Sequence, residues 1–165
     1  MKVVNSALRH YEENVQINAA TKDIFSFVDD HSLFSSHMSK SSWMMGGGRM
    51  NILMDNEKGQ RVGSHIRLKG NVFGVNLFLD EVITRREPPI VKEWKTVGDI
   101  RLLIIGHYRM GFEIKPQNNS SMLKVFIDYD LPISLYTRWL GVLLGRIYAK
   151  WCIRQMITGV KEQFK

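Results

Sequence analysis

The sequence predicts an α+β fold: a largely antiparallel sheet of about seven strands packed on one long C-terminal helix, with two short helices after the first strand. Three observations predict it. Between residues 50 and 131 apolar residues alternate with polar ones in runs separated by short turn-like stretches, and short turns join antiparallel neighbours. Helical periodicity appears only at the flanks, over residues 20–38 and 135–164. Finally, the 165 residues are 44% hydrophobic and 24% charged, an ordinary globular composition at the size of one domain. A single domain over residues 1–165 is therefore expected, and disordered, collagen-like and coiled-coil classes are excluded.

Taken in order, residues 8–17 end in the alternation of Val15 and Ile17 and read as the first strand. Ala20 or Thr21 then caps a helix carrying Ile24, Phe25 and Val28 on one face. A second short helix fits residues 32–38, with Leu33 and Phe34. The run Trp43-Met44-Met45-Gly46-Gly47-Gly48 reads as a flexible loop or as a strand with bulges, since glycine restricts the backbone least. Strands are expected at residues 50–54, 63–69 and 72–86, the last ended by Glu87-Pro88-Pro89, because proline donates no ladder hydrogen bond. They resume at 91–97 and 102–114, and residues 115–121 form a turn by composition. The Asn-Asn-Ser within it reads as part of that turn, not as a glycosylation acceptor. Strand 122–131 places Leu123, Val125, Ile127 and Tyr129 on one face and Lys124, Asp128 and Asp130 on the other, and Pro132 ends it.

This order of elements is joined by local signatures: Val15-Gln16-Ile17-Asn18-Ala19-Ala20-Thr21-Lys22-Asp23-Ile24-Phe25 at the first strand–helix junction, Val62-Gly63-Ser64 entering a strand, Glu81-Val82 ahead of Pro88-Pro89, and Tyr129-Asp130-Leu131-Pro132 before the final helix. Together they resemble the helix-grip fold of the START-like, or SRPBCC, superfamily, most closely its polyketide cyclase/dehydrase and lipid-transport branch. The resemblance covers nearly the whole chain. One departure is Ala20-Thr21, where that branch usually carries proline. The resemblance implies a curved sheet wrapped around the long helix with a cavity between them. It also implies binding or transport of a lipid-like or other hydrophobic small molecule. The alternatives are a cyclase/dehydratase-type enzyme acting on a polyketide-like substrate, or a membrane- or protein-docking module using the last helix. The superfamily shares no catalytic motif, so catalytic residues stay unassigned.

At about 100° per residue, Val142, Gly145, Ala149, Ile153, Met156 and Val160 fall on one face of the terminal helix, which should pack on the sheet. Gly145 and Ala149 are small enough to allow close approach or to leave room for a ligand. A second apolar set, Leu140, Leu143, Leu144, Ile147 and Trp151, lies roughly opposite and only in the first half. It must meet the Trp43–Met45 loop, the short helices, a second subunit or a membrane surface. Arg146, Lys150, Arg154, Lys161 and Lys165 form a basic stripe, either a solvated face or a docking surface for anionic lipid or an acidic partner.

Strand 102–114 offers two parities. Leu102, Ile104, Tyr108, Met110, Phe112 and Ile114 form one apolar face, which leaves His107 and Arg109 in solvent. A bulge at Gly106 would instead turn His107 and Arg109 into the cavity, where they would hold a carboxylate or enolate oxygen. Trp94, Tyr11, Leu77, Leu79 and Tyr129 are further candidates for the cavity wall, and nine methionines suit an adaptable pocket. A catalytic pair of His107 with Glu81 or Asp80 would need a proximity that spacing does not supply.

No metal, cofactor or phosphate-loop motif is present: His31 and His37 are six apart, which is wrong for zinc on one helix face, and His65 sits with Arg67 and Lys69 on an outward strand face. Cys152 is the one cysteine, which excludes an intramolecular disulfide and, with no signal-peptide pattern, points to the cytoplasm. The net charge of +7 is concentrated in residues 135–165, where six Lys or Arg face Glu162 alone. That concentration makes nucleic acid an unlikely partner and favours a hydrophobic ligand, with an anionic membrane or a homodimer as peripheral contact through the last helix.

Overall fold

A computed structural model describes residues 8–36 and 48–165. The elements run β1 (Arg9–Ile17), α1 (Thr21–Asp29), α2 (His31–Phe34), β2 (Arg49–Met54), β3 (His65–Val72), β4 (Val75–Glu87), β5 (Val91–Arg101), β6 (Tyr108–Gln117), β7 (Ser120–Tyr129) and α3 (Leu135–Gln163). The seven strands form one open antiparallel sheet in the order β1-β7-β6-β5-β4-β3-β2. Strands β2 to β7 are a meander, and β1 lies against β7 at one edge. Because β1 and β2 are at opposite edges, the chain between them must cross the sheet. It does so over the inner face, where Phe25 of α1 and Phe34 of α2 each meet Phe112 of β6 edge-on. The α+β class, with its long terminal helix, matches the expectation.

Alternation accounts for the inner face. Ile66, Leu68 and Val72 on β3, Leu77, Leu79 and Ile83 on β4, and Leu123, Val125, Ile127 and Tyr129 on β7 are all buried. Register shifts between β4 and β5 at Phe78/Asp80 and Ile83/Arg85 bend these two strands together.

Several boundaries differ from the sequence reading. The strand expected over 72–86 is split from its predecessor by a two-residue hairpin at Phe73 and Gly74, whose φ values of 51° and 77° suit the right-handed twist of the flanking strands. The strand expected at 91–97 continues to Arg101, and the one expected from residue 102 begins at Tyr108, with irregular chain between them. The second helix spans His31–Phe34 and is capped by Asp30, whose carboxylate accepts from the Ser32 and Leu33 amides. Met38 and the Trp43–Met45 loop lie outside the described residues.

Helix α3 packs as foreseen through Gly145, Ala149, Ile153, Met156 and Val160, but Val142 is 51% exposed. In its first two turns the helix meets the irregular segment near Ile104 and the Leu131–Pro132 bend, against which Gly141 packs. Val142 lies to one side of that contact. Leu143 and Ile147, of the second apolar set, are also exposed.

The inner face also carries charge. Lys92 of β5 is fully buried; its ammonium donates to the Asp29 carbonyl at 2.7 Å and to the Asp29 carboxylate at 3.0 Å. Arg86 donates to both oxygens of the same carboxylate, at 3.0 and 2.8 Å. Burial pulls the Lys92 ammonium below its usual value against the attraction of Asp29. Burial likewise works to raise Asp29, but Arg86 and Lys92 hold its carboxyl below the usual range. This triad ties the end of α1 to β4 and β5. Asp29→Ala should lower unfolding free energy by about 3–5 kcal/mol, since it strands two cations, one of them buried. Lys92→Met should cost less, because Arg86 still pairs both Asp29 oxygens. Urea denaturation of the two variants checks the order, and equal losses would contradict it.

Candidate functional site

The inward alternation Leu77, Leu79, Glu81, Ile83 puts one carboxylate into an apolar wall, and Glu81 is 4% exposed. Two partners reach it from other elements. The Tyr108 hydroxyl at the start of β6 donates to Glu81 Oε1. His31, at the first position of α2, is held edge-on to Trp94 with ring centroids 5.1 Å apart, and its Nε2 lies 3.0 Å from Glu81 Oε2. That contact has an ion-pair distance but not the direction of a hydrogen bond, and Oε2 is a buried polar atom without a hydrogen-bond partner among the described residues.

Glu81 lines a cavity between the sheet and α3, with a volume of about 30 Å³. Leu68, Leu79, Trp94, Met110 and Ile127 line it from the sheet. Tyr148, Cys152 and Met156 line it from α3, and Ser35 from beside α2. A second void of about 40 Å³ lies next to it, under Met50, Val72 and Leu77. Leu102, Ile105 and Tyr148 border both voids. Leu102 and Ile105 also border an outer groove of about 730 Å³, formed by residues 99–107 and 130–138. The inner voids and the outer groove thus share a thin apolar wall. Each void has room for only one or two waters, so a larger occupant requires that wall to move.

The sequence candidates divide. Leu79, Trp94, Tyr108 and Met110 line the first void, and Leu77 the second. Phe112, Tyr129 and Ala149 are buried in close packing elsewhere in the core, and a Cβ on Gly145 would stand 3.2 Å from the Tyr129 ring. Tyr11 is half-buried on β1, with its hydroxyl donating to Glu13. These five do not face the voids. The alternative parity for His107 and Arg109 is not adopted, because Gly106 lies in the irregular chain before β6 and makes no bulge within it. His107 borders the outer groove, its Nδ1 2.9 Å from the Thr96 hydroxyl. Arg109 lies on the outer sheet surface, 3.7 Å from Glu93 and 3.6 Å from Asp128. Of the basic stripe, Arg146 and Lys150 are exposed, whereas Arg154 donates to Glu13 at 2.7 Å and ties α3 to β1.

Sequence reasoning missed His31 as a site residue and named Glu81 only as one of two acids that would need to come near His107; the histidine beside it is His31. The signal for Glu81 was present: a carboxylate in the buried parity of β4. Nothing in the spacing brings His31, fifty residues upstream in the chain, to the same point.

Burial, reinforced by the Glu81 carboxylate, pushes the Tyr108 phenol well above its ordinary value. Burial raises Tyr148 in the same way. The Cys152 thiol is pushed up to about 12 by burial, against a smaller opposite effect from Tyr148. Neither phenol nor thiol is charged near neutrality, and Glu81 and His31 are the other ionisable side chains lining the first void among the described residues. Among the described residues no group of three His, Cys, Asp or Glu is arranged to hold a metal ion. No described helix is long and apolar enough to cross a membrane.

No protein-family model matches the chain, and no curated protein sequence does. Solved structures do. Norcoclaurine synthase from Thalictrum flavum superposes with a TM-score of 0.69 at 12% identity, over 99% of this chain and 97% of that one. An aromatase/cyclase from Streptomyces gives 0.63 at 13% identity, over 96% of both chains. A major latex-like protein from Panax ginseng gives 0.62 at 10% identity, over 95% and 97%. The chain has the helix-grip fold of the START-like superfamily. At these identities the likeness is one of fold, and it carries no site residue across. In this chain the polar group at the cavity is therefore read from its own geometry.

Two outcomes follow from that geometry. Tyr108→Phe leaves Glu81 Oε1 without its donor and should cost about 1–3 kcal/mol in urea denaturation. Cys152 should resist alkylation by iodoacetamide in the native state at mildly alkaline pH and react once the chain is unfolded. Rapid native-state reaction would contradict the closed cavity wall.

Proposed function

We propose that this protein binds a hydrophobic small molecule between the sheet and α3, and that the molecule carries one hydrogen-bond donor, a hydroxyl or an amine, placed against Glu81. The observation that carries this reading is the buried Oε2 of Glu81, which stands 3.0 Å from His31 Nε2 yet accepts no hydrogen bond among the described residues, on a side chain that lines a void in a largely apolar interior. A buried carboxylate oxygen left without a partner costs about 1–3 kcal/mol or more, and close-packed cores rarely retain one. A donor on a ligand removes that cost. The apolar remainder of the ligand would occupy the joined voids once Leu102 and Ile105 yield, with Met110 and Met156 adapting to its shape. Fold relatives support the reading at a distance: the norcoclaurine synthase of Thalictrum flavum has a structure in complex with dopamine and hydroxybenzaldehyde.

Native mass spectrometry and solvent extraction of the purified protein test it, with an apolar co-purified molecule bearing a hydroxyl or amine as the expected result. A defined pair of probes sharpens the test. 2-Naphthol should bind about tenfold or more tighter than naphthalene, because a hydrogen bond to a charged group contributes about 1.5–3 kcal/mol. Glu81→Gln should narrow that difference. Equal affinity of the two probes for the wild-type chain would defeat the assignment of Glu81.

A second reading is enzymatic, of the cyclase or dehydratase type, and the pairing of Glu81 with His31 in one buried site favours it. Such a reaction needs a base to remove a proton from carbon next to a carbonyl and an acid to return one, and a carboxylate beside an imidazole supplies both. Incubation of an apolar ketone such as 2-tetralone in deuterium oxide tests this. Protein-dependent deuterium exchange at the α-carbon, lost in Glu81→Gln, supports turnover chemistry, and exchange no faster than in buffer removes it.

A further inference from the structure

The outward side of α3 changes character along its length. Ile133, Leu135, Tyr136, Trp139, Leu143 and Ile147 are between 55% and 88% exposed. At about 100° per residue, Tyr136, Leu143 and Ile147 form one line opposite the buried Gly145 and Met156. Further along, the same outward side becomes basic with Lys150. Between Leu131 and Lys161 the sequence holds five Lys or Arg and no Asp or Glu. Arg146 and Lys150 are exposed beside the apolar line, and neither forms an ion pair among the described residues. An exposed apolar patch of this extent is unusual on a free soluble surface and marks a contact site.

We propose that this face docks on an anionic phospholipid bilayer. Charge selects that occupant over a second copy of the chain. In a two-fold contact through this face, α3 would offer no acidic side chain between Leu131 and Lys161 to pair with Arg146 and Lys150 of the other copy. An anionic headgroup layer complements them, while Tyr136 and Trp139 suit the boundary between headgroups and acyl chains, where amphipathic aromatic rings concentrate. The position of the patch adds a second reason. Ile133, Leu135 and Arg138 also border the outer groove behind Leu102 and Ile105, so a bilayer held here would lie over the groove's rim. The inference does not depend on what the cavity holds.

The test is co-sedimentation of the full chain with large vesicles of phosphatidylcholine, with and without phosphatidylserine, at low and high salt. Binding should require phosphatidylserine and weaken with salt. Replacing Arg146 and Lys150 together by Gln should weaken it by about fivefold per charge. Leu143→Glu, at an exposed position and so without effect on the melting curve, should abolish it. Absence of binding at low salt would overturn the proposal. Equal binding to both vesicle types, or binding indifferent to Leu143→Glu, would do the same. So would sedimentation velocity showing a dimer that Leu143→Glu dissociates, with no vesicle binding.

Discussion

One helix has to cover seven strands. At about 4.8 Å between strands, the sheet is about 29 Å across, while a helix with its side chains is about 10 Å wide. α3 therefore covers about a third of the inner face, and the remaining width must be closed by other means. The chain uses two. α1 and α2 cross the face between the sheet's edges and wedge Phe25 and Phe34 over β6. The irregular segment after β5 folds Leu102 and Ile105 inward. What these devices leave uncovered becomes the pair of voids. The cavity is thus a consequence of a sheet too wide for its single long helix, and its position follows from where the short helices end.

Two charged groups point into this interior and are treated differently. Asp29 and its two cations form a closed set: both carboxylate oxygens, the Lys92 ammonium and the inner side of the Arg86 guanidinium are engaged, and the group serves to fix α1 to the sheet. Glu81 is half engaged. Tyr108 holds one oxygen in place and the other accepts no hydrogen bond among the described residues, with the His31 ring close but not aimed. The first arrangement is complete without anything added. The second is positioned on one side and open on the other, as a recognition group should be.

Much of the fold was legible in the sequence because period-two alternation and turn chemistry are local. Leu123, Val125, Ile127 and Tyr129 declare their strand and its inward face without help from the rest of the chain. The hairpin at Phe73–Gly74 was lost because a bulky residue with positive φ carries no turn signal of its own. The start of β6 was misplaced because Leu102, Ile104 and Tyr108 happen to share parity across a break. The site was less legible for a different reason. Leu79, Trp94, Tyr108 and Met110 could be placed near the voids by parity alone. The meeting of His31 with Glu81 depends on how α2 crosses the sheet, which no pattern within either segment encodes. The exposed apolar half of α3 was visible as a surplus of apolar residues, and only the coordinates show that α1, α2 and the sheet leave it uncovered.

The wall of Leu102 and Ile105 sets how the interior can exchange its contents. These residues sit in a four-residue span between Arg101, at the end of β5, and Gly106, whose amide is fixed to the Asp130 carbonyl at 2.8 Å. Displacing that span breaks neither the strand ladder nor the packing of α3 on β1 and β7. Opening of this kind belongs to the low-energy end of a protein's local fluctuations, well below global unfolding. On the proposed ligand-binding reading, exchange would therefore run through a few side chains and one short stretch of backbone.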